Sequence, residues 1–220
     1  AMSFPETRFV ENQRLDKVVT GNPVRDRVRP LAGKAYPALG PKGTIRLVVT
    51  GGSQGARALS DIVPAAIALL PEALRNRLHI LQQARAEDIE RVAESYRQSR
   101  TSVELSSFIA DLPERIADAH LVIGRAGAST VTELCVIGRP AILIPLPGSL
   151  DSDQKHNALF LEEGGGGWVA EQATLSPQSL ATRLHELLSD PDQLKRAAGA
   201  AAALGKPAAV ERLADIAETL

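Results

Sequence analysis

A chain of 220 residues with 44% apolar content carries enough material for one generous α/β domain or two small ones. Its 25 lysines and arginines against 26 aspartates and glutamates leave a formal charge of −1, which argues against nucleic acid and anionic membrane surfaces as partners. The single cysteine, Cys135, excludes an internal disulfide, and within the apolar stretch TELCVIG it reads as a small buried thiol suited to a reducing cytoplasm.

At the start, residues 1–20 offer one candidate strand, DKVVT, and no helix to partner it. The stretch 21–43, GNPVRDRVRPLAGKAYPALGPKG, is rich in Pro, Gly and basic residues and reads as an interdomain linker. From residue 45 onward, short apolar runs alternate with longer amphipathic ones, the pattern of βαβ units whose strands are covered on both faces. The runs predict strands near 45–50, 78–82, 103–106, 120–124, 141–145 and 167–170. Helices are predicted near 56–70, 86–98, 112–118, 129–138, 154–163, 176–188, 191–204 and 207–219. Ser and Asp stand at helix starts in LSPQS and SDPDQ, the second with Pro191 at a first-turn position. With right-handed crossovers these elements give a doubly wound, Rossmann-like parallel sheet over 44–206. The helix over 207–220 has an apolar face of Val210, Leu213, Ala214, Ile216 and Ala217 with no evident place on one sheet, so it and the strand before the linker read as pieces of a neighbouring domain. The longest apolar runs, IVPAAIALL and AILIPLP, are too short and too broken by proline to cross a bilayer, and residues 1–20 show no basic segment followed by a hydrophobic one, so neither export nor a membrane span is expected.

Two strand-to-helix turns carry the chemistry. In VVTGGSQGARAL, Gly51, Gly52 and Gly55 surround Ser53 and Gln54 just as a helix begins, so exposed amides could hold an anion such as a diphosphate. The segment has neither the Walker lysine nor the dinucleotide fingerprint, and a turn whose glycines serve geometry alone is an equal reading. The second turn, GRAGASTVTE, sets Gly124, Gly127, Ala128, Ser129 and Thr130 before a helix that carries Glu133. Both belong at the carboxyl edge of the sheet, where such folds bind ligands. Glu133 could grip a ribose diol or close a capping box with Thr130, and Arg125 by itself reads better as half of a salt bridge than as a phosphate ligand. Asp151, Asp153, Gln154 and Asn157 come to the same edge and suit sugar hydroxyls, although a solvated helix start is the plainer reading of that cluster alone. The histidines at 79, 120, 156 and 185 lack the spacing and company of a metal site, and no Ser–His–Asp arrangement is present.

Taken in order, TGNPVR at 20–25, TGGSQGA at 50–56, FIADL at 108–112, GRAGASTVTEL at 124–134, GRPAILIPLP at 138–147 and DQKHNA at 153–158 resemble the C-terminal half of the MurG family of GT-B glycosyltransferases. The resemblance covers essentially the whole chain. It implies the donor half of an inverting transferase that moves N-acetylglucosamine from UDP-GlcNAc to a lipid-linked muramyl-pentapeptide, in peptidoglycan synthesis, with no cofactor and no metal. It further implies that Arg25 and Ser53 meet the donor near its diphosphate, that the Ile109 backbone pairs with uracil, and that Ala128, Ser129 and Thr130 present amides to the phosphates. Glu133 would take the ribose hydroxyls, and Gln154 with Asn157 would read the GlcNAc hydroxyls. Asp153 stands where the family often has histidine, and the family's N-terminal glycine-rich loop and acceptor-side base have no counterpart. The resemblance thus makes 1–20 the end of an N-terminal acceptor domain and 207–220 a helix that packs on it. The lipid-linked acceptor and any peripheral contact with the cytoplasmic side of the inner membrane belong to that domain, while this chain alone is expected to be soluble and inactive. The rival readings are a natural donor subunit of a two-subunit transferase and a non-catalytic nucleotide-sugar sensor.

Overall fold

The computed structural model describes residues 1–4, 16–52 and 56–219. Six parallel strands form one sheet in the order β3-β2-β1-β4-β5-β6: β1 Ile45–Thr50, β2 Leu78–Gln83, β3 Ser102–Ser106, β4 Leu121–Gly124, β5 Ala141–Leu143 and β6 Gly167–Val169. The order reverses between β1 and β4, which pair directly with Thr50 opposite Gly124. Continuous aliphatic runs such as LVIG and AIL form the middle of the sheet because helices bury both of its faces.

On one face lie α1 (Arg57–Ala68), α3 (Ile89–Gln98) and α7 (Pro177–Ser189), whose Leu59, Val63, Val92, Tyr96, Leu184 and Leu188 close over the sheet's Ile45, Leu47 and Ile80. The other face carries α4 (Leu112–Asp118), α5 (Ala128–Ile137), α6 (Asp153–Glu163) and α8 (Pro191–Leu204). Strand and helix bounds match those read from the sequence to within three residues, the largest difference being α3, which begins at Ile89 after a 3-10 turn at Ala86–Asp88. The helix starts show why: Ser176 forms a capping box with Ser179 at α7, and the Asp190 carboxylate accepts the Gln193 amide at 2.9 Å at α8. A single-turn helix, α2 (Glu72–Arg75), is too short to leave a periodic signal. The last helix, α9 (Ala209–Glu218), buries Ala209 and leaves Val210 exposed.

One expectation at the N-terminal end is revised: Asp16–Thr20 forms no strand, and its ladder contact among the described residues is a bridge between Val19 and Met2. Residues 21–36, within the stretch read as an interdomain linker, lie as a strap across the second helical face. Val24 and Val28 are buried there, and Tyr36 reaches the opposite core. Arg139, among the most deeply buried side chains, donates to the carbonyls of Lys34 and Ala35 in the strap, of Ala117 in α4, and of Ile137 and Gly138 at the end of α5. Tyr36 donates to the His120 carbonyl at 2.8 Å, and its ring lies under the Arg139 guanidinium. Exposed pairs from Arg27 to Glu114 and from Lys34 to Asp118 add little energy but fix the strap's course. A further pair, Arg29 with Glu211, joins the strap to α9.

Candidate functional site

The two glycine turns leave neighbouring strands at the same border of the sheet, the carboxyl edge at the point where strand order reverses. A Cβ on Gly124 would stand 2.9 Å from the Thr50 carbonyl oxygen, so only glycine allows the two strand ends to approach this closely. The Arg125 amide then donates to that carbonyl at 3.3 Å. After β1, Gly52 takes φ +78°, a backbone state that glycine adopts without strain. The Thr50 hydroxyl, itself donated to the Gln83 side-chain oxygen at 3.0 Å, faces the Gly52 amide. Gln83 continues to the Ser107 carbonyl, so one polar chain ties the ends of β1, β2 and β3. Ser53, Gln54 and Gly55 lie outside the described residues.

The second turn ends in Gly127, the N-cap of α5, and no side chain caps the helix. Its first internal bond runs from the Val131 amide to the Gly127 carbonyl, while Ala128 and Ser129 are exposed and Thr130 is half-buried. Such a start presents orphan amides and the positive end of the helix dipole to whatever occupies the edge. The capping-box alternative for Glu133 is overturned, because Thr130 lies inside the helix and Glu133 turns elsewhere. Its side chain, 6% exposed, receives Arg25 of the strap in a fork, Nε to Oε1 and Nη2 to Oε2, each at 2.8 Å. That bond holds the pKa of Arg25 above the ordinary arginine value.

Arg125 also departs from its sequence reading. Instead of meeting an acid, it is buried and donates to the carbonyls of Ile144 and Pro145 at 3.0 and 3.1 Å and to the Gln172 side-chain oxygen at 2.6 Å. The reason is local: β5 stops at Leu143, and the loop carbonyls beyond it need donors in a buried place. Burial lowers the pKa of this guanidinium. Arg125 thereby fixes the loop that leads to Gln154, whose side-chain oxygen accepts the Leu146 amide at 3.1 Å. The Gln154 amide donates to Asp153 Oδ1 at 2.7 Å, and the buried Asn157 donates to the Ala126 carbonyl at 3.0 Å, stitching α6 to the turn before α5.

Ile109 lies half-buried in the loop between β3 and α4. Its neighbours are held: Ser106 Oγ engages both backbone groups of Phe108, and Arg27 donates to the Ala110 carbonyl at 2.8 Å. No hydrogen bond to the other described residues uses the Ile109 backbone. The described site candidates therefore share one border, with the loops after β3, β1, β4 and β5 in line and the strap crossing α5. Among the described residues no cluster of His, Cys, Asp or Glu could hold a metal, and no helix is long and apolar enough to cross a membrane. A groove of about 140 Å³ lined by Phe4, Val19, Cys135, Phe160 and Leu204 includes none of the site candidates. Sequence reasoning missed Arg27, Arg139 and Gln172: the Glu114 carboxylate and Ala110 carbonyl that Arg27 meets, the strap carbonyls that Arg139 holds and the Arg125 guanidinium that Gln172 receives are all distant in the chain and leave no local pattern.

Residues 46–219 match the glycosyltransferase family 28 C-terminal domain. A protein of Granulibacter bethesdensis named UDP-N-acetylglucosamine--N-acetylmuramyl-(pentapeptide) pyrophosphoryl-undecaprenol N-acetylglucosamine transferase is 51% identical over 218 residues, which is 99% of this chain and 56% of that protein. Its namesake in Rhodospirillum rubrum is 54% identical over 98% of this chain and 55% of its own length. The chain thus spans about half the length of the curated relatives it matches. Among solved structures, MurG of Acinetobacter baumannii superposes with a TM-score of 0.76 at 28% identity, over 84% of this chain and 55% of that one. The lipopolysaccharide glycosyltransferase WaaG, at 22% identity and TM-score 0.60, shares the fold.

Proposed function

Because the chain belongs to the glycosyltransferase family 28 C-terminal domain family, we propose that it is the UDP-GlcNAc-binding half of an inverting N-acetylglucosaminyltransferase acting on a lipid-linked muramyl-pentapeptide. The observation that carries this reading is the juxtaposition of two glycine turns on adjacent strands, the second running directly into an uncapped α5 start with a carboxylate one turn further in. A diphosphate on the amides of Ala128, Ser129 and Thr130 would gain from the helix dipole, each such contact contributing about 0.3–1 kcal/mol and more when water is excluded. Glu133 accepts the ribose diol, the free Ile109 backbone takes the uracil edge, and Gln154 with Asn157 lines the sugar end. The resemblance assigns Ser53, outside the described residues, to the diphosphate.

In the reaction, the acceptor hydroxyl attacks the anomeric carbon as the bond to UDP breaks, and the configuration inverts. Charge accumulates on the leaving diphosphate, so amides already directed at that place stabilise the transition state without reorganisation. The proton of the attacking hydroxyl passes to a base on the acceptor side, outside this chain. The described residues 16–20 and the apolar face of α9 then lie at the junction with an acceptor domain, and that domain, rather than this one, meets the cytoplasmic face of the inner membrane. Calorimetry with UDP-GlcNAc tests the reading. The chain binds, and Glu133→Ala weakens binding about tenfold or more, as expected for hydrogen bonds to a charged group. Equal binding by the two proteins would remove the ribose assignment.

A further inference from the structure

We propose that Arg25 is a positioning residue for ribose selection that acts through Glu133, and that it is not a direct diphosphate ligand. The inference rests on the nucleotide reading above and departs from what the family resemblance implies for this arginine. Its warrant is the geometry of the pair. The guanidinium lies in a two-point fork on both carboxylate oxygens, at 2.8 Å each, from a residue 108 positions away in the chain.

A carboxylate has about four lone-pair directions, and a forked arginine uses one on each oxygen. Two remain, one per oxygen, which matches the two hydroxyls of a ribose diol. The fork does two things to them. It stops rotation of the carboxylate about its last bond, and it fixes both remaining directions relative to α5. An unpaired Glu133 would carry a charge in a place with 6% exposure, with its rotation unconstrained. Arg25 in turn is aimed by the strap: Val24 and Val28 on either side of it are buried, and Arg27 is anchored on Glu114 and the Ala110 carbonyl. A lysine could not reproduce this, since one ammonium cannot face both oxygens in a plane.

The test compares UDP with 2′-deoxy-UDP on the 220-residue chain by calorimetry, in four proteins: unmodified, Arg25→Ala, Glu133→Gln and the double variant, with Arg25→Lys as the conservative control. The unmodified chain prefers the ribonucleotide by about tenfold. In Arg25→Ala that preference falls below about threefold while affinity for 2′-deoxy-UDP changes little, Arg25→Lys lies between, and Arg25→Ala adds nothing in the Glu133→Gln background. Thermal melts of each variant check that the fold is retained. A merely structural arginine would not change the ratio between two ligands that differ by one hydroxyl. Equal weakening of both ligands by Arg25→Ala overturns the inference and returns Arg25 to the phosphates. If the unmodified chain binds neither ligand, the nucleotide reading and this inference fall together.

Discussion

Arg139→Ala should be among the most damaging substitutions in the molecule, although the residue is outside the binding edge. Its guanidinium is 1% exposed and serves carbonyls from three elements: Ala117 in α4, Ile137 and Gly138 at the end of α5, and Lys34 and Ala35 in the strap, at 2.8–3.3 Å for the bonds to Gly138, Ala35, Ile137 and Lys34. Each buried carbonyl left without a donor costs about 1–3 kcal/mol, but water entering the vacated space and the released desolvation of the cation offset part of that sum. A net loss of about 3–5 kcal/mol remains, equivalent to a melting point lower by roughly 6–20 °C for a chain of this size. Urea unfolding followed by circular dichroism measures it. Arg139→Met, which keeps the stem, should recover only the packing share, and Arg139→Lys less than half of the total, because one ammonium cannot reach three elements. If Arg139→Ala lies within about 1 kcal/mol of the unmodified chain, the strap is not held by this residue.

Gly124→Ala should destabilise by about 1–3 kcal/mol in the same assay, since its Cβ would press on the Thr50 carbonyl oxygen at 2.9 Å and both strand ends would have to part. A neutral result would mean that the β1–β4 edge is compliant. His120 is buried with Nδ1 accepting the Arg46 amide at 2.9 Å, and burial holds its pKa below the ordinary imidazole value. The unfolded chain therefore takes up the proton first: stability is full above about pH 6.5 and declines as pH falls below it. His120→Gln should flatten that decline in urea midpoints measured from pH 8 to 5.5; an unchanged profile would assign the loss to other groups. Cys135, 3% exposed and with its thiol pushed up to about 12 by burial, should react with a thiol reagent at pH 8 roughly a thousandfold more slowly in the native chain than in urea. Comparable rates would show that the core opens readily around α5.

The sheet was legible because its signals are local. Runs such as IRLVVT and LVIG are too apolar and too short for anything but doubly covered strands, and LSPQS and SDPDQ carry their own helix starts. The two glycine turns were legible for the same reason, and their adjacency followed from strand order. What local signals do not carry are partners that are distant. Residues 21–36 have the composition of a linker, and nothing in that composition shows their contacts to residues 80 or more positions away, from Glu133, Glu114, Asp118, His120 and Arg139. The salt-bridge reading of Arg125 looks to a neighbouring acid, whereas its partners are carbonyls exposed by the early end of β5 and the Gln172 side chain. The capping-box alternative for Glu133 looks to Thr130 on its own helix, whereas its carboxylate receives Arg25 of the strap.

The central claim is that amides at the start of α5, beside the turn after β1, hold the diphosphate of a sugar nucleotide. A crystal structure of the chain with UDP-GlcNAc tests it most directly. The account predicts both phosphates within hydrogen-bond distance of the backbone of 128–130, with the ribose hydroxyls on Glu133. A nucleotide seated elsewhere, or phosphates facing solvent with the α5 amides unoccupied, would contradict it.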